Sequence, residues 1–120
     1  MNRGLFWFLH ICAGVALIVL LGFHMILMHL TDIISFITSS HVEPLHFESV
    51  LERGKSVYYF IFYLLLLLIG LYHGLYGLKN ILVEIFYSDK SSRITNVAIW
   101  IFGLILLFVG SLSTIKFFID

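Results

Sequence analysis

Four histidines stand inside, or at the ends of, otherwise apolar stretches of this sequence: His10, His24, His29 and His73. An imidazole nitrogen serves well as an axial ligand of haem iron. Within a lipid-crossing segment, an ionisable side chain generally faces the protein interior and marks a functional site. If the surrounding residues are helical, His73, Gly77, Asn80 and Glu84 follow an i, i+4, i+7, i+11 pattern and share one stripe. Gly70 and Gly74 flank that histidine. Missing side chains let a flat macrocycle, or another helix, approach the backbone closely. His10, Gly14, Leu17, Leu21, His24 and Met28 form a second stripe. His29 lies about 140° round the helix from His24, so one of the two, not both, is the candidate ligand on that helix. The bland alternative for each is an imidazole hydrogen-bonded between helices or reaching the interface, and it weighs most for His10 and His29. His41 and His46 fall in a long connection and are expected to face water or headgroups.

The elements that must hold these residues follow from composition. Of 120 residues, 61% are hydrophobic and 12% charged, against roughly 25% charged in a soluble domain. Gly4–Thr31, Ser56–Leu78 and Ile94–Ile115 contain no Lys, Arg, Asp or Glu. Each exceeds the ~20 residues that cross a ~30 Å hydrocarbon core. Backbone groups in lipid must satisfy one another, so each stretch is expected to be helical. The expectation is an all-α, integral membrane three-helix bundle forming one domain over 1–120, with helices at about 5–30, 57–83 and 96–118. In the first loop, Glu43-Pro44 and Gly54 bracket an apolar-periodic run, predicting a short interfacial helix at about 44–54. Ser88–Ile94 reads as a polar turn. The opening apolar run is too long for a signal-peptide core, and the single Cys12 has no internal partner.

Seven basic and seven acidic residues balance, so nothing in the charge points to nucleic acid; the expected surroundings are a lipid bilayer. Arg3, Lys79, Lys90 and Arg93 fall on one side, and Arg53, Lys55 and Lys116 on the other. Counting only Lys and Arg, the N-terminus is expected on the cytoplasmic side.

Depth decides whether one iron could take both candidate ligands. With helix 1 entering near Leu5, His24 lies about 28 Å from the inner surface. With helix 2 returning near Glu84, His73 lies about 16 Å deep. A mismatch of about 12 Å excludes both from one iron, so each histidine serves a different haem or only one ligates, with the second ligand coming from another chain.

At helix 2 the residues become specific. Tyr72-His73-Gly74-Leu75-Tyr76-Gly77-Leu78-Lys79-Asn80-Ile81-Leu82-Val83-Glu84 resembles the His-x-x-x-Gly-Leu-Arg-x-x-x-x-Asp segment of succinate dehydrogenase and fumarate reductase membrane-anchor subunits of cytochrome b type. Lys79 stands where arginine is usual, and Glu84 where aspartate is usual. The first helix, with His10-Ile11-Cys12-Ala13-Gly14 and its closing His24 and His29, is similar to that family's opening helix, with Ile11 and Ala13 where Arg and Ser are usual. The resemblance covers nearly the whole chain. It implies His73 as an axial ligand of haem b, with the acidic end of helix 2 near a quinone. It also implies a complex with a flavoprotein subunit, an iron–sulfur subunit and a second small membrane anchor subunit. One or two haems would be shared with that partner, and histidines on both helices suit the two-haem arrangement best. Glu84 and Tyr87, and more weakly His10, are the expected quinone contacts at the inner membrane edge. Two other readings fit the residues: a subunit of a different b-type quinol oxidoreductase, and a haem-free assembly or scaffold subunit in which His73 only packs.

Overall fold

The computed structural model describes residues 2–38, 48, 52–53 and 55–120. Three α-helices account for most of them: α1 (Arg3–Thr38), α2 (Val57–Ile85) and α3 (Asp89–Ile119). All three are long and apolar enough to cross a membrane. The interfacial segment expected at 44–54 lies outside the described residues, save Glu48, Glu52 and Arg53, which are helical.

Two helix ends differ from expectation, each for a local reason. α1 runs eight residues beyond position 30, because nothing in Thr31–Thr38 breaks it: no proline or glycine occurs, and Thr38 Oγ1 bonds back to the Ile34 carbonyl at 2.7 Å. At 36 residues it is about 54 Å long, well over the ~30 Å core. The stretch expected as a polar turn before α3 is instead its opening. Ser88 is extended (φ −140°, ψ 149°) and its hydroxyl accepts from the Ser91 N–H at 3.1 Å. Such a cap satisfies one of the four free N–H groups that start a helix. Asp89 in the first turn and Lys116 in the last suit the helix dipole. Only Phe86, Tyr87 and Ser88 then separate α2 from α3.

The helices do not close into a triangular bundle. α2 packs against both α1 and α3, whereas α1 and α3 make no close backbone approach to each other among the described residues. The faces of α2 explain the row. Gly70, His73 and Gly77 meet α1, while Leu67 and Leu75 fit against Gly110 and Gly103 of α3. At 100° per residue these two sets lie about 130° apart round α2, so its neighbours are held on separate sides. Both packings are antiparallel: Gly14 meets His73 while His10 meets Gly77, and Phe60 meets Phe118 while Leu75 meets Gly103.

Few side chains are sealed from the surroundings in this arrangement. No described residue is fully buried, and Ile18, Trp100 and Phe108 are 74%, 65% and 65% exposed. Water would penalise so much apolar surface heavily, whereas lipid tails solvate it, leaving close packing and interhelical hydrogen bonds to associate the helices.

Candidate functional site

The closest polar meeting of two helices lies between α1 and α2. His10 and His73 stack with ring centroids 4.2 Å apart and planes 7° from parallel. His73 Nδ1 is 3.0 Å from the His10 carbonyl oxygen. A carbonyl only accepts, so this bond puts the proton on Nδ1 and leaves the lone pair on Nε2. Nε2 of His73 makes no hydrogen bond among the described residues and is not sealed off by them. One turn earlier on α1, the Phe6 carbonyl accepts from the Tyr72 hydroxyl at 2.8 Å. Consecutive side chains of α2 thus bond carbonyls four residues apart on α1, using the second lone pair of each oxygen.

Glycines make the approach possible, and they do so reciprocally. A Cβ on Gly14 would stand 2.8 Å from His73 Cε1, and one on Gly77 would stand 3.3 Å from His10 Cε1. Each histidine therefore occupies the space left by the glycine four residues after the other. His10-x-x-x-Gly14 and His73-x-x-x-Gly77 are the same spacing run in opposite directions, so the seam is self-complementary, as in an isologous interface. That repeated spacing was the signal in the sequence for a pairing that periodicity within each helix does not reveal. Tyr76, 5.0 Å from the His10 ring, completes the cluster. Within it the Nδ1 of His10 is buried and has no hydrogen-bond partner among the described residues.

His24 stands apart. Its ring centroid lies 6.2 Å from that of Phe62 and 5.9 Å from that of Tyr63. Tyr63 is ten residues from His73, about 15 Å along α2, so a single iron cannot take both histidines. Nor can His10 and His73 take one iron between them, since stacked rings present their faces to each other and their lone pairs lie in the ring planes. Tyr63 also lines a groove of about 390 Å³ between α2 and α3, with Phe60, Leu67, Gly110 and Thr114.

The residues expected near quinone are not gathered as their spacing suggested. His10 belongs to the His73 cluster; Gly77 beside it is seven residues, about 10 Å, from Glu84. The register that sets His10 against Gly77 brings Glu84 level with the start of α1. Glu84 is exposed on the last turn of α2. Tyr87 is 95% exposed and lies past the helix end at Ile85, so the helical i, i+3 relation to Glu84 does not hold. His29 is exposed on α1.

Of the two candidate haem ligands, His73 and His24, the surroundings of His73 suit that role. Iron-ligating histidines almost always donate their other ring N–H to a carboxylate, a backbone carbonyl or water, which is what Nδ1 does here. Gly74 has nothing within 4 Å of the place its Cβ would take, so the backbone beside His73 is open to a flat group. Gly14 and Gly77 are not open, because imidazoles of this chain fill the spaces they leave. His24 has no hydrogen-bond partner among the described residues, so the orienting bond seen at His73 has no counterpart there.

Compared with known protein families, curated proteins and solved structures, the chain matches none.

Proposed function

We infer that this chain is one of two small membrane anchor subunits of a succinate:quinone oxidoreductase, either a succinate dehydrogenase or a fumarate reductase. It binds haem b and helps form the quinone site, between an iron–sulfur partner and the quinone pool. The single observation that carries the reading is His73 on the Tyr72–Glu84 segment, with Nδ1 committed to the His10 carbonyl and Nε2 left as ligand. Three helices suited to a bilayer agree with it. In this reading the membrane is the inner or cytoplasmic membrane, the N-terminus is cytoplasmic, and further chains complete the open row of helices.

When bound, haem b supplies a one-electron relay whose potential is set by axial ligand, burial and neighbouring hydrogen bonds. This chain's residues hold His73 in one tautomer, exclude water from its α1 side and leave the Gly74 side open. His24 would hold a second haem at a different level, and the remaining ligands would come from a partner chain. Dicarboxylate chemistry belongs to the flavoprotein, not to this chain.

Purification through a tag on this chain tests the reading. A flavoprotein, an iron–sulfur protein and a second small hydrophobic chain should co-purify with about two haems per complex. His24→Ala should lower that ratio to one. A wild-type ratio of one that His24→Ala leaves unchanged removes His24 from the ligands; absence of the flavoprotein and iron–sulfur partner defeats the whole assignment.

One observation favours a second reading, a haem-free scaffold. Gly14 and Gly77 are matched to imidazoles of this same chain, so the His10–His73 pair can serve as a clasp that fixes the α1–α2 register. A purified complex with no haem would decide for it.

A further inference from the structure

We propose that Gly14 and the His10 backbone are positioning elements for His73: the carbonyl sets the tautomer that presents Nε2 to iron, and Gly14 is the aperture that admits the ring to it. The tautomer claim stands on geometry alone; its consequence for iron rests on the haem reading above.

In an α-helix a side chain at i+4 lies back over the preceding turn and can crowd the carbonyl there. Gly14 is i+4 from His10, so the His10 oxygen is uncovered on the face that meets α2. His73 uses that gap, with Nδ1 3.0 Å from the oxygen. The ring has little freedom to withdraw, since His10 stacks on it at 4.2 Å. A methyl at position 14 would stand 2.8 Å from Cε1 and 3.2 Å from Nδ1. Those atoms belong to a rigid ring held on two sides, not to the loose end of a side chain. Gly70 provides the contrast in the same seam, for its added Cβ would meet only Leu17 Cδ2, at an ordinary 3.9 Å.

The bond has a direction of effect. Donation from Nδ1–H to a carbonyl raises the basicity of the ligating nitrogen, and a more basic ligand favours ferric over ferrous iron. Breaking it should raise the midpoint potential and weaken haem retention by about 10–100-fold, the usual cost of losing such an outer partner.

Two measurements on Gly14→Ala and Gly70→Ala test this. Nitrogen NMR of the histidine-labelled full chain in lipid bilayers should find His73 protonated on Nδ1 in the wild type and in Gly70→Ala, and no longer uniformly so in Gly14→Ala. Redox titration of the purified complex should find a raised potential in Gly14→Ala alone. A wild-type His73 protonated on Nε2 overturns the proposal, as does a Gly14→Ala chain indistinguishable from Gly70→Ala in both measurements. The haem reading fails separately: if the wild type carries no haem, that reading falls, while the NMR result still decides the tautomer.

Discussion

If His73 holds a haem, replacing it with alanine should remove one b-type haem from the complex, and its absorbance band with it. The effect is large because no neighbouring side chain can take over. His10 is at the same level, but it presents its ring face to His73 and its Nδ1 is enclosed in the seam. His24 is about 15 Å away along α2. Alanine also leaves a void opposite Gly14, so loss of haem could reflect loosened packing. His73→Gln separates the two causes: its amide retains an N–H donor for the His10 carbonyl and much of the volume, but no imidazole for iron. Difference spectra and haem extraction should find both variants depleted of that haem while the other subunits still co-purify. An unchanged spectrum and potential in His73→Ala would remove His73 from the ligands.

Glu84→Gln should slow quinone reduction by about 100-fold, the lower end of what a positioned acid or base contributes. Quinone takes up two protons on reduction, so its site needs a proton-carrying group at a wet membrane edge. Glu84 is exposed on the last turn of α2 and makes no hydrogen bond or ion pair among the described residues, leaving its carboxylate available. Haem content and dye-coupled succinate oxidation should be unaffected, since neither involves this edge. Tyr87 lies past the helix end, and its substitution by Phe should have the smaller effect of the two. Unaltered quinone rates in both variants would move the site to the partner chain.

Much of the fold was legible because lipid leaves the backbone few options. Three uncharged stretches had to become helices, and α2 starts at Val57 as expected and ends two residues beyond position 83. What escaped was local or relational. The end of α1 carried no stop signal, and a single Asp32 does not interrupt a helix. Ser88-Asp89-Lys90-Ser91 looked like a turn because its residues are polar, yet Ser88 and Asp89 are also what begins a helix. The row of helices depends on which faces of α2 are small or bulky toward each neighbour, a property of pairs. The same holds for the site. Stripes within each helix picked out His10, Gly14, His73 and Gly77, but not that His10 and His73 meet, because periodicity within one helix carries no register between two. Tyr72 and Tyr76 gave no signal beyond their type; their roles follow from the α1–α2 register alone.

The most direct test of the central claim is to add succinate to the complex purified through this chain and record its visible spectrum. If the chain is the haem-bearing anchor of a succinate:quinone oxidoreductase, succinate should raise a reduced b-type band, fumarate should reverse it, and the His73→Ala complex should lack the corresponding share. A complex with no b-type band, or one whose band responds to a chemical reductant but never to succinate, contradicts the account.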